Sequence, residues 1–71
     1  FAAQLAAINR KLTSLEEEEA ALLRRLAAGD LTAEEEALVR SRLAEIAEER
    51  NTLLNERRKV RAARAATMAG R

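Results

Sequence analysis

The sequence of 71 residues contains no cysteine, histidine, proline, tryptophan or tyrosine, and it has only one phenylalanine and two glycines. Without cysteine or histidine, a zinc site, a disulfide scaffold and a thiol nucleophile are excluded. A β-sandwich or barrel needs β-branched, aromatic and turn residues, all of which are scarce here. The chain is instead rich in Ala, Leu, Glu and Arg, a composition typical of long helices and coiled coils.

The short length indicates a protein that needs a partner. One domain is the most that this chain can form, and a core of this size contributes only about 3–5 kcal/mol to stability. We therefore expect self-association or docking onto a larger protein. A run of about 18 apolar residues and a basic leader with an apolar stretch are both missing, so we expect no membrane span and a cytoplasmic location. Because the first residue is Phe1, we also expect a processed chain, an excised segment or part of a longer protein.

Charge is distributed unevenly along the chain. Residues 1–56 contain seven basic and 12 acidic residues, a net charge of −5, whereas residues 57–71 contain six basic residues and no acidic one, a net charge of +6. A dipolar distribution of this kind indicates a localised contact surface. The basic residues of the second segment are Arg57, Arg58, Lys59, Arg61, Arg64 and Arg71.

Apolar residues recur at heptad spacing on both sides of Gly29, which is the a/d pattern of two coiled-coil helices. Glu19 occupies one a position of the first helix, and Arg50, Arg57 and Arg64 occupy a positions of the second. Polar residues at such positions fix register and partner number at some cost in stability. The apolar a and d residues are Phe1, Leu5, Ile8, Leu12, Leu15, Leu22, Leu26, Val39, Leu43, Ile46, Leu53 and Val60.

The residues between the two heptad segments predict a turn. Gly29 accepts the left-handed conformation that is favoured just after a helix end. Thr32 and Glu35 have the spacing of a capping box, in which each side chain bonds to the backbone amide of the other residue. The sequence therefore predicts helices over about 2–28 and 33–69, joined by a turn at 29–32.

A four-residue link makes the two helices antiparallel neighbours. We therefore predict an all-α fold over residues 1–71, an antiparallel two-helix coiled-coil hairpin that assembles into a helical bundle. When a layers face d layers, Leu22 lies opposite Leu43, and Arg50 comes close enough to Glu19 for an ion pair. The second helix is longer than the first, so its basic end extends beyond the hairpin.

Three leucines, Leu23, Leu38 and Leu54, lie outside the a and d positions. We predict that they form a second apolar face, which favours a dimer of hairpins or a higher helical bundle. A larger protein is the alternative partner. Alanine permits close approach of helices, and the alanines that flank this face are Ala20, Ala21, Ala44 and Ala47.

The basic end is the second candidate contact surface. Arg57, Arg61 and Arg64 share one helical stripe, which can neutralise phosphates without reading a base sequence. Three interpretations are open: a solvated helix end whose cations complement the helix dipole, a surface for an acidic protein, or a surface for nucleic acid. A membrane surface is disfavoured because the segment has no Trp or Phe. The candidate contacts for an anionic partner are Arg57, Arg58, Lys59, Arg61 and Arg64.

No arrangement of residues predicts catalysis. The four carboxylates of Glu16–Glu19 point in different directions on a helix, so we expect a solvated face, with a weak cation site as the alternative. The hydroxyl side chains have no histidine to activate them, and a glycine-rich phosphate loop is missing. We therefore expect a non-enzymatic protein with no cofactor, no metal and no small-molecule substrate.

The run Leu26-Ala-Ala-Gly-Asp-Leu-Thr-Ala-Glu-Glu-Glu-Ala, followed by Leu43-Ala-Glu-Ile and an Arg/Leu-rich helix, resembles a known kind of segment. It resembles the coiled-coil hairpin of large serine recombinases, and it is similar to the helical scaffolding segment before the shell domain of many tailed-phage capsid proteins. Both resemblances cover roughly residues 15–57. The catalytic serine and zinc ribbon of the recombinases lie outside such a segment and have no counterpart here. The resemblance implies protein–protein contact in a phage or mobile-element setting.

Overall fold

The computed structural model describes residues 1–70, so that Arg71 of the predicted basic end lies outside the described residues. These residues form two α-helices, α1 over Ala2–Ala28 and α2 over Ala33–Ala69. These bounds coincide with those expected from the sequence. The two helices pack against each other, and the fold is the predicted all-α helical hairpin.

The turn between α1 and α2 is capped at both ends. Gly29 has a φ of 72°, and its amide donates to the Leu26 carbonyl at 3.3 Å. A Cβ on Gly29 would meet nothing within 4 Å, so the positive φ and not space calls for glycine. The Thr32 amide donates to the Glu35 carboxylate, and the Glu35 amide donates to Thr32 Oγ1, both at 3.1 Å. The hydrogen bond from the Thr32 backbone and that with its side chain lower the pKa of Glu35 and confirm the capping box.

Contacts between side chains of α1 and α2 show that the helices are antiparallel. A residue near the start of α1 bonds to one near the end of α2, and residues in the second half of α1 reach the first half of α2. The predicted ion pair is present, with Arg50 Nη1 lying 3.2 Å from Glu19 Oε2. The contacting pairs are Asn9–Arg57, Glu18–Arg42 and Glu19–Arg50.

The core is one row of apolar side chains along the line where the helices meet, here called the seam. Five of its residues are buried, and only Ile46 is fully enclosed. Phe1, at the open end of the hairpin, keeps 48% of its surface exposed. The buried residues are Ile8, Leu12, Leu15, Val39 and Ile46, and the half-buried seam residues are Leu5, Leu22, Leu26, Leu43, Leu53 and Val60.

The hairpin is a rod of 59 × 15 × 13 Å with a radius of gyration of 16.8 Å. A compact domain of this length has a radius of gyration of about 11 Å. The accessible surface is 5319 Å², whereas a compact monomer of the same mass exposes about 4,400 Å². The molecule therefore leaves roughly 900 Å² more surface in water than a compact monomer does.

Helix α2 is longer than helix α1. It has 37 residues against 27 in α1, and Val60 is its last residue that is even half-buried. We call residues 61–69 the overhang. All of them are helical and exposed, so they extend beyond the seam as the sequence predicts.

Candidate interaction surfaces

The hairpin has two long sides, one on each flank of the seam. Because each residue of an α-helix turns by about 100°, Glu18 and Leu23 point about 140° apart on α1, as do Arg42 and Ala47 on α2. The contact between Glu18 and Arg42 therefore places Leu23 and Ala47 on the opposite flank. The charged side is defined by Lys11, Glu18, Arg25, Glu35, Arg42 and Glu49. The alanine side is defined by Ala20, Leu23, Ala27, Ala44, Ala47 and Leu54.

Arg42 is the centre of the charged side. Its Nε and Nη2 donate to the two carboxylate oxygens of Glu18 at 2.6 and 2.8 Å, a bidentate bond across the helices. Its Nη1 donates to Glu45 at 3.1 Å and to Glu49 at 3.2 Å, both on α2. The hydrogen bond to Arg42 lowers the pKa of Glu18, and the bond to Glu18 is the largest cause that raises the pKa of Arg42.

Charges of opposite sign follow the whole charged side. Lys11 and Glu49 line the same groove as Glu18 and Arg42, and Arg25 and Glu35 line a second groove nearer the turn. The Glu18–Arg42 pair is not among the contacts predicted from the sequence. Opposite charges at the positions that flank an a/d seam were the signal that could have identified it. Within residues 1–70, Glu18, Glu45 and Glu49 on this side all bond to Arg42, whereas Lys11 and Arg25 form no ion pair.

The alanine side is apolar and is left uncovered along the turn-proximal half of the hairpin. Leu23 keeps 51% of its surface exposed, while Leu54 and Ala47 are half-buried. The remaining alanines, Ala20, Ala27 and Ala44, are exposed. Arg40 lies on this stripe, one heptad before Ala47, and is paired with Glu36 at 2.8 Å.

The predicted grouping of Leu38 with Leu23 and Leu54 is wrong. Leu38 lies one turn before Arg42, and its position on α2 is about 160° around the helix from that of Leu54. It is therefore on the charged side, where 72% of its surface is exposed. Ala21 is also misplaced in that prediction, because it lines the turn-proximal groove of the charged side.

The basic end divides into a bound and a free part. Arg57 is half-buried, and its Nη1 donates to Asn9 Oδ1 at 3.0 Å, so it contributes to the hairpin rather than to a free stripe. The Arg58 side chain donates to Asn55 on the same helix at 3.4 Å. Lys59, Arg61 and Arg64 are exposed. Among residues 1–70, no basic side chain after position 56 takes part in an ion pair.

The structure offers no support for a metal centre or a membrane span in the part of the chain that it describes. Within residues 1–70, no three His, Cys, Asp or Glu side chains converge in a way that could hold a metal ion. Neither α1 nor α2 contains a stretch long and apolar enough to cross a bilayer.

Comparisons with protein-family models, with curated proteins and with solved structures found no match to this chain. The resemblances to recombinase hairpins and to phage scaffolding segments therefore stay predictions.

Proposed function

We propose that this protein is a non-enzymatic assembly module whose hairpins associate with one another across the alanine side. The observation that carries this proposal is the contrast between the core and that side. The seam encloses one side chain completely, Ile46, while Leu23 and the neighbouring alanines remain in water. A second copy that covered the alanine side would complete a four-helix bundle with a larger core.

The area of exposed surface supports a second copy as the partner. The hairpin exposes roughly 900 Å² more than a compact monomer of its mass. A standard protein interface removes about 800 Å² from each partner, so one interface of that size would account for the excess. Small residues on both helices of this side allow the close approach that such packing needs.

Nucleic acid binding through the basic end is the second candidate function. Exposed Lys59, Arg61 and Arg64 support it, since they carry positive charge without an ion-pair partner among residues 1–70. The segment offers no aromatic or amide side chain that could stack on or read a base. Titration with duplex DNA, single-stranded DNA and RNA at two salt concentrations tests this candidate. Affinity that falls steeply with salt would support it, and no binding at low salt would eliminate it.

Sedimentation equilibrium of the unmodified chain tests self-association. We expect a dimer or a larger assembly at micromolar concentration, with a melting temperature that rises with protein concentration. A folded monomer whose melting temperature does not depend on concentration would contradict the proposal. The phage or mobile-element setting rests on the sequence resemblance alone, and the cytoplasmic location likewise stays a prediction.

A further inference from the structure

We propose that two hairpins pack antiparallel across their alanine sides, so that the turn of each copy lies beside the open end of the other. This proposal rests on the self-association proposed above, and it specifies which ends of the two copies lie side by side. The first reason is length. The ten additional residues of α2 correspond to about 15 Å of helix. A parallel pair would leave two such extensions side by side at one end, whereas an antiparallel pair lays each extension along the turn of its partner.

The second reason is that the overhang continues the alanine side. Ala47, Leu54, Arg61 and Met68 follow one another at heptad intervals and therefore lie on one stripe of α2. Met68 keeps 63% of its surface exposed, and no described residue of α1 lies beside it to cover it. The partner in an antiparallel pair supplies the missing helices at this point.

The third reason is charge. Residues 57–70 contain five basic residues and no acidic one, whereas the turn and the first turn of α2 contain Asp30 and Glu34–Glu36. Parallel packing brings Arg61 and Arg64 of two copies together, and like charges at an interface oppose association. Antiparallel packing brings the same arginines to Asp30 and Glu34 of the partner, while Arg40 on the same stripe is paired with Glu36 of its own chain. Asp30 and Glu34 form no ion pair within residues 1–70, which leaves both available.

Cysteine cross-linking tests the orientation directly, because residues 1–71 contain no cysteine. Ala37→Cys and Ala65→Cys place single thiols on one stripe of α2, about 42 Å apart along the helix, which excludes a bond within one chain. In a mixture of the two variants, we expect disulfides between Cys at 37 and Cys at 65 to dominate. Ser14→Cys lies on the charged side and serves as the control that stays unlinked.

Charge exchange provides an independent test. The double variant R61E/R64E changes only exposed side chains, so it should keep its helical circular dichroism. We expect its dimer to dissociate about tenfold more readily, because several exposed ion pairs are replaced by like charges. The variant D30K/E34K should be weakened in the same way. An equimolar mixture of the two should regain the affinity of the unmodified dimer.

The outcomes separate the orientation from self-association. A monomer in sedimentation equilibrium contradicts both. A dimer in which Cys at 65 links mainly to Cys at 65 of another chain contradicts the antiparallel orientation alone. A dimer that R61E/R64E leaves unchanged, while the same variant abolishes duplex DNA binding, assigns the basic end to nucleic acid and overturns the charge argument.

Discussion

The two sides of this hairpin differ in how their side chains are paired and covered within one chain. On the charged side, Arg42 bonds to carboxylates of both helices and closes the flank of the seam within one chain. On the alanine side, Leu23 lies exposed and has short side chains as neighbours along α1. A single hairpin therefore pairs the central charges of its charged side, whereas the apolar residues of its alanine side remain exposed to water.

This difference shows that charged residues can determine which side of a hairpin associates while contributing little to its folding stability. Glu18 and Arg42 keep 41% and 33% of their side-chain surface exposed, and pairs of this kind contribute little to folding. A partner that covered the charged side would nevertheless have to remove these groups from water, which is costly. The alanine side carries the single Arg40–Glu36 pair among apolar residues, so covering it removes fewer charged groups from water and the charged side directs association to the opposite flank.

The largest expected effect comes from the seam that both sides share. Ile46→Ala removes the one fully enclosed side chain and should lower the free energy of unfolding by about 2–5 kcal/mol. Leu38→Ala is the control, because an exposed side chain on the charged side should change that energy by less than about 0.5 kcal/mol. Urea unfolding followed by circular dichroism compares them. Equal effects of the two changes would show that the seam is not the core.

A smaller effect is expected on the charged side. Arg42→Met should destabilise the hairpin less than Ile46→Ala, and the loss should shrink as salt screens the charges. In a Glu18→Gln background the same change should cost less, because the bidentate bond has already been weakened. Thermal unfolding of the four proteins at low and high salt measures this coupling. Additive effects of the two substitutions would contradict a direct Glu18–Arg42 interaction.

The smallest effect on stability is expected when the pH is lowered. The pKa of Glu18 is lowered in the fold, below the value of about 4.3 that glutamate has in an unfolded chain. The unfolded state therefore binds the proton more readily, so this stabilisation is present above that value and is lost as pH falls through the lowered pKa. Glu18→Gln should flatten the dependence of the melting temperature on pH in this window. Glu35, whose pKa the Thr32 bonds also lower, should account for part of the slope that remains.

The sequence predicted the helices and the turn because they depend on local rules, and it predicted the Glu19–Arg50 pair because a short turn and the heptad pattern fix the register of the two helices. Gly29 and Thr32 end and begin helices through bonds within a few residues, and heptad spacing sets the register. The predicted side for Leu38 is wrong because the apolar character of a residue does not indicate on which flank of a seam it lies. Arg57 differs from the predicted free stripe because it bonds to Asn9, which is 48 residues away in the sequence but adjacent across the seam.

The most direct test compares Leu23→Glu with Leu38→Glu by sedimentation equilibrium. Both side chains are largely exposed in the hairpin, at 51% and 72%, so both variants should retain their helical circular dichroism. If copies associate across the alanine side, Leu23→Glu buries a carboxylate at the interface and should yield a monomer, while Leu38→Glu should keep the assembly of the unmodified chain. Assembly that survives Leu23→Glu, or that is lost with Leu38→Glu, would contradict association through the alanine side.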